Sequence, residues 1–437
     1  MNILNQIQNL DISAHLPDKL LAITQSFDAP QVQDVAAAAV QALEESGVLS
    51  IMHPGQSVAV GVGSRGIQNL PIIVKAVVDR LLSADLKPFI TPLMGSHGGA
   101  TIEGQTAMIA GLGVSAETMG VEVRATMEVT EIGKLPNGPI LYQDTISAAA
   151  DHTLLINRVK PHTSFRSQIE SGLAKMAVIG MGKQHGAATM HDLGVDGLRT
   201  FLAPAARVYE RSTNLCGGLA IVENAYDQTA KIAGLSAAEI GTAREAGLLE
   251  EAKALMASLP FPEIDVLAVR QLGKNISGTG MDTNVIGRLR IPRQADSFGG
   301  PDISVITVHD LTEAAHGNAN GMGLANIITA RIASQLDFHA TYMNALTSGI
   351  LGMWRAHMPM ILPDDLRALQ VAVLACAVAP QEDVRLVLIQ DTLTLDKLWV
   401  SPNLAEAVQE HPQLSIDGEM PLAFEAGGMT SPWNWSR

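Results

Sequence analysis

The chain has 437 residues, 17% charged and 47% hydrophobic, with a formal net charge of −15. That length exceeds one ordinary hydrophobic core and predicts two domains, while the composition excludes a disordered chain. The acidic balance argues against nucleic acid or an anionic membrane as partner, since either calls for a concentrated basic face.

Two cysteines, Cys216 and Cys376, cannot build a disulfide framework. The opening MNILNQIQNLDISAHL lacks the basic start and apolar run of a signal peptide. The longest apolar run, near Ala368 to Pro380, is too short to cross a bilayer. A cytoplasmic location is therefore expected.

In chain order, the first fifty residues read as a lead-in with helical character, where QVQDVAAAAVQALEESG predicts an amphipathic helix ended by Gly47. From Gln56 the texture changes to strand (SVAVGV), loop, helix (LPIIVKAVVDRLL), strand (KPFITP), loop and a helix through IEGQTAMIAGLG. This is a parallel α/β unit, and its loops lie at the carboxyl ends of strands, where such sheets bind ligands. Arg65 tips the first loop between Gly63 and Gly66, small neighbours that let a carboxylate or phosphate approach. Taken alone, it reads equally as a surface arginine on a turn. His97 tips the second loop, MGSHGGAT, just ahead of Thr101, a candidate helix N-cap. GVGSRG lacks the full dinucleotide fingerprint.

A third strand, Asp151 to Asn157, delivers the chain into NRVKPHTSFRSQIESGLAKMAVIGMGKQHGAATMH, a stretch dense in His, Lys and Arg. Here SQIESGLAK predicts a short helix, MAVIGMG a strand or buried turn, and GMGK an exposed turn. His185 and His191 do not share one helical face as an i, i+4 pair would, and no second His or Cys pair completes a zinc shell.

From Thr200 to Ser258 the chain reads as mostly helical with one strand, LAIVENA. Residues 1–260 are expected to form one domain and 261–437 a second. The second opens with a strand from Asp265 to Val269 feeding a loop that holds Arg270, Gln271, Lys274 and Asn275, followed by Asp282 and Asn284. DISVITVHDL is again a strand, leading to His309, Asp310 and His316; adjacent residues on an extended chain point to opposite sides, so His309 and Asp310 do not pair. Helices are expected around Leu324 to Gln335, Ala340 to Leu351 and Asp364 to Ala379, then a strand at VRLVLIQ. The terminal AGGMTSPWNWSR is expected to pack back across the domain junction. The fold class predicted is α/β, two domains with mainly parallel sheets flanked by helices and an active site in the interdomain cleft.

Arg65, His97 in its glycine loop, His162 after NxxxxH, SGxxK ending at Lys175, and His191 stand in an order and spacing that resembles the lactate racemase family, whose members use a nickel-pincer nucleotide cofactor. The resemblance implies a racemase or epimerase of a 2-hydroxy acid working by proton-coupled hydride transfer. It implies Lys175 as the covalent cofactor tether, with Lys183 as its rival, and His191 as the nickel ligand. It implies His97 and His162 as the acid/base pair and Arg65 as the holder of the substrate carboxylate. Gln271 and Lys274 repeat the spacing of a glutamine and lysine that contact substrate or cofactor, and cofactor-biosynthesis proteins are the implied partners. The chemistry suits the residues: imidazole titrates near neutrality and serves as acid or base in either direction, it is a suitable nickel ligand, and a cofactor would carry the hydride. Two departures stand out. The family's acidic residue before the arginine is replaced by GVGS, and the basic residue after the second-loop histidine is Gly98, which points away from lactate. The alternatives are an epimerase of a longer polyhydroxy (aldonic) acid and a non-catalytic organic-acid-binding protein.

Overall fold

A computed structural model describes residues 13–64, 66–291 and 298–433. The chain is α/β, with mainly parallel sheets flanked by helices. It divides into two compact units, Asp28–Met256 and a second formed by Ala257–Arg437 together with the N-terminal residues up to Phe27. Among the described residues, no helix is long and apolar enough to cross a membrane.

The first described strand, β1 (Lys19–Gln25), belongs to the second unit. In the Asp28–Met256 unit follow β2 (Ser57–Val62), β3 (Lys87–Pro92), a separate antiparallel hairpin of β4 (Val129–Lys134) and β5 (Ile140–Asp144), then β6 (His152–Arg158), β7 (Leu215–Glu223) and β8 (Thr229–Ser236). The main sheet runs β3-β2-β6-β7-β8, parallel from β3 to β7 and antiparallel at β8. Parallel strands covered on both faces are continuous apolar runs, and β7 is buried along its whole length. Helix Leu70–Leu82 lays Ile73, Val74, Val77, Val78 and Leu81 on this sheet, an i, i+1, i+4, i+5, i+8 stripe that is wholly buried. Each such side chain stabilises the fold by about 1.5–3 kcal/mol. Since the chain goes from β2 to β3 on one side and later to β6 on the other, the direction of winding switches between β2 and β6. The loops leaving β2, β3 and β6 share one edge, the position where open α/β sheets form ligand crevices.

The second unit holds β9 (Glu263–Leu272), β10 (Asp302–Leu311), β11 (Ile327–Thr329), β12 (Met360–Leu362), β13 (Leu386–Ile389), β14 (Lys397–Val400) and β15 (Leu414–Pro421) in an eight-stranded sheet, order β12-β11-β10-β9-β13-β14-β1-β15. A short hairpin, β16 (Ala423–Glu425) and β17 (Gly428–Ser431), stands beside it in sequence. β12 to β13 are parallel, and β14, β1 and β15 add antiparallel neighbours. Here too the winding reverses, between β9 and β13.

Several expectations are corrected. Among the described residues, the lead-in contributes a strand, β1, that pairs with β14 and β15 of the second unit, and its α-helix is Val35–Glu45. TAKIAGLS is the strand β8, because pairing with β7 overrides a run of small residues with weak strand preference. MAVIGMG is neither strand nor turn: Met176–Met181 is a π-helix. The helix expected from Leu324 starts at Ala330, after β11, and the one over Ala340 to Leu351 is broken at Gly349, φ 59. Trp433 is buried in the core of its own unit, its ring edge-on to His309 at 5.0 Å.

Candidate functional site

Arg65 lies outside the described residues. Its loop is pinned on both sides. Ser64 Oγ hydrogen-bonds His97 Nδ1, joining the loops after β2 and β3. Gln68 N donates to Glu223 Oε1 at 2.8 Å, and Glu223 pairs with Arg158 at the end of β6.

His97 is exposed in a loop whose shape depends on Gly98, at φ 65. A Cβ there would lie 2.6 Å from the Gly104 carbonyl carbon, so the close packing of loop on helix admits no side chain at this position. This accounts physically for the missing basic residue after His97. Thr101 caps the next helix, accepting from Gly104 N at 3.0 Å, as the sequence predicts. Within that helix, buried Gln105 donates to the carbonyls of Gly95 and His97 at 2.9 and 3.2 Å and accepts from Lys183 Nζ at 3.1 Å. Lys183 also donates to Pro92 O at the end of β3. Lys183 is therefore not in an exposed turn. It is fully buried, burial pushes its pKa down to about 8 against the opposing Asp144 carboxylate, and it braces the His97 loop through Gln105.

At the exit of β6, Asn157 Nδ2 donates to Gly172 O at 2.8 Å and Lys160 N to Ser171 Oγ at 2.7 Å, folding residues 158–171 into a closed loop. Its centre is buried Glu170, which accepts from His162 N (2.8 Å) and Ser167 N (3.1 Å) and meets Arg166 and Lys253, each at 3.3 Å. His162 is half-buried, its ring 4.4 Å from that of Phe165. Its Nδ1 accepts from Ser164 N at 3.1 Å, so the neutral ring carries its proton on Nε2.

Lys175 ends the helical turn Gly172–Lys175. No side chain of that turn caps it. Glu245, from helix Ala243–Ala254, does so from a distance: its carboxylate accepts from Ala174 N at 3.1 Å and from Gly241 N at 2.7 Å, and burial raises its pKa against those donors. The π-helix follows, held against the His97 loop by Gly180, where a Cβ would approach Leu93 O to 2.7 Å. Helix Lys183–His191 then ends in His191, which has solvent access. Desolvation by surrounding protein, and next the Lys175 ammonium, lower the His191 pKa below its ordinary value. Lys175 and His191 thus share one electrostatic environment. His185 packs edge-on to Tyr142 at 4.5 Å. Among the described residues, no group of three or more His, Cys, Asp or Glu could hold a metal ion. A metal at His191 would have to bring its remaining donors with it.

Gln271 and Lys274 belong to the other unit, at the carboxyl end of β9 beside that sheet's winding switch. Gln390 Nε2 donates to Gln271 Oε1 at 3.0 Å while its Oε1 accepts from Arg270 at 2.9 Å, and Lys274 Nζ donates to Gly278 O at 2.7 Å. Asp282 caps Thr283–Ile286, accepting from Asn284 N at 2.9 Å and Nδ2 at 2.7 Å. His316 is exposed after β10. His309 is wholly buried: Nδ1 meets Asp365 Oδ1 and Nε2 meets Thr307 Oγ1, both at 2.9 Å. Asp310 is not its partner, as the strand geometry predicts. Burial alone would raise the Asp365 pKa, but His309, Arg331 and Met429 N hold it at about 2. This is a structural knot in a core, out of reach of a substrate.

Four supporting residues escape the sequence reading: Ser64, Gln105, Glu170 and Glu245. Only Glu170 lies inside the polar stretch; Gln105 and Glu245 act on partners 78 and 71 residues away, a relation no local pattern encodes.

No protein-family model matches the chain, and no curated protein matches it. Among solved structures, the lactate racemase apoprotein from Thermoanaerobacterium thermosaccharolyticum is similar over 85% of this chain and 88% of its own, at 13% identity and a TM-score of 0.45.

Proposed function

We propose that this chain is a racemase or epimerase of a 2-hydroxy acid that works with a nickel-pincer nucleotide tethered to Lys175. The observation that carries this reading is one sheet edge. The loops of His97 and His162 leave β3 and β6 on either side of β2, and Lys175 and His191 share one electrostatic environment beside them. The donor set fits the cofactor: one imidazole, disposed to the neutral form that ligates metal, near one lysine able to form a covalent link. When bound, the cofactor supplies a hydride acceptor.

The chain's own residues do the rest. His162 and His97, whose Nδ1 faces Ser64, exchange the substrate hydroxyl proton through Nε2, one for each enantiomer; in His162 this requires the tautomer with its proton on Nδ1, with the Ser164 N contact released so that Nε2 can accept. Arg65 holds the substrate carboxylate in a bidentate grip. Gln271 and Lys274 contact substrate or cofactor. The cytoplasm is the expected compartment, with cofactor-biosynthesis proteins as partners. A second reading, epimerisation of a longer aldonic acid, is favoured by Gly98, which presents no side chain next to His97.

The test is intact mass and nickel content of protein made in cells that produce the cofactor. Added mass that maps to Lys175 and disappears in Lys175→Arg is expected. Unmodified, nickel-free protein from those cells would overturn the proposal. Interconversion of the two substrate enantiomers should fall at least a hundredfold in His97→Ala and in His162→Ala.

A further inference from the structure

Helices Phe338–Thr347 and Gly349–Arg355 form a hairpin packed through Gly352, where a Cβ would come 2.0 Å from Ala345 O. Its buried seam is small. Phe338, Tyr342, Met343 and Leu346 recur at i, i+4, i+5 and i+8 on the first helix, and the second adds Ile350, Met353 and Trp354. All seven are exposed, from 43% at Trp354 to 67% at Leu346. Residues 338–354 contain no Asp, Glu, Lys or Arg, in a chain of net charge −15.

These side chains offer on the order of 600 Å² of mainly apolar surface, the upper end of the largest patch on a typical monomer. It is also most of the roughly 800 Å² that each partner contributes to a standard stable interface. The chemistry selects the occupant. A membrane-surface helix needs basic residues along its polar flank, and this stretch has none. A charged partner would find no complement. An uncharged apolar face matches itself, and a two-fold contact requires only that one patch meet its own copy. Its Phe, Tyr, Met and Trp content and its lack of Lys, Glu and Asp are those of an interface core.

We propose that the chain forms a two-fold homodimer through this helical face, with Leu346 and Met353 among the side chains it buries. The full chain is examined by light scattering and sedimentation over a range of concentrations, alone and with Leu346→Glu/Met353→Glu. The wild type is expected at twice the chain's mass, and the variant at the monomer mass with unchanged circular dichroism. A wild-type monomer throughout overturns the proposal, as does a folded variant that stays dimeric. If the variant does not fold, hydrogen exchange of residues 338–354 in the wild type decides: protection rising with protein concentration supports the dimer, and concentration-independent exchange rejects it. Flotation of monomeric wild type with phosphatidylcholine/phosphatidylglycerol vesicles would assign the face to a lipid surface instead and likewise rejects it.

Discussion

Gly98 and Lys183 both shape the His97 loop, one by lacking a side chain and the other by burying a charge. A methyl group at 98 meets Gly104 backbone at 2.6 Å and adopts a φ of 65 that L-residues avoid. Gly98→Ala should therefore cost about 1–3 kcal/mol in denaturant unfolding, as overpacking does, and should slow interconversion of the substrate enantiomers through His97. Lys183→Met leaves Pro92 O and Gln105 Oε1 without their donor, a loss of about 1–3 kcal/mol by the same measurement. The variant also has a pH signature. The Lys183 pKa in the fold, about 8, lies below its ordinary 10.5, so the unfolded chain binds more protons between those values. Wild-type stability should gain from this group as pH rises from 8 toward 10.5, and Lys183→Met should lack that gain. At this scale the sequence reveals residue type better than residue duty. The cap at Thr101 is legible because its partner is three residues away. Lys183 is misread because the groups that bury and pair it come from residues 92, 105 and 144.

Among the elements, strands with strong apolar runs are the legible ones. β2, β3, β6, β9 and β10 announce themselves, since burial on both faces demands Val, Ile and Leu in sequence. β1, β8 and the π-helix do not, because each is fixed by a neighbour: β14 and β15, β7, and the end of β3. The junction of β10, β17 and helix Asp365–Ala375 shows what such neighbours contribute. Asp365 accepts from Met429 N at 2.9 Å while pairing with His309 and Arg331. Its pKa of about 2 lies below the ordinary 3.8, so its stabilisation is present above the ordinary value and is lost as pH falls through about 2. Asp365→Asn should destabilise by about 3–5 kcal/mol at pH 7, as breaking a buried ion pair does. The gap between wild type and variant in urea unfolding should shrink steadily as the pH is lowered from 4 toward 2.

For the whole molecule, the two-unit architecture is readable from length alone, yet its connectivity is not. The sequence divides naturally near residue 260, and the chain passes from one unit to the other between Met256 and Ala257. It does so a first time after Phe27, which nothing in the lead-in signals. Charge acts at this scale as well. Copies carrying −15 each repel, while the helical face that joins them carries no Asp, Glu, Lys or Arg. Self-association should therefore tighten as salt rises toward physiological strength, where the Debye length is about 8 Å. The salt dependence of the sedimentation isotherm measures this directly, and an interface held by ion pairs would give the opposite sign.

The position of β1 between β14 and β15 also sets an order of events on the ribosome. The Asp28–Met256 unit is one uninterrupted segment and can complete its core as soon as it emerges. β1 emerges before all of it, yet its two partners, Lys397–Val400 and Leu414–Pro421, are synthesised only well after Met256. At roughly 5–20 residues per second of synthesis, LLAITQ spends tens of seconds as an unpaired apolar strand. Nascent-chain chaperones that shield unpaired strands have their longest window at this segment, and a slow stretch of translation after Met256 would lengthen it.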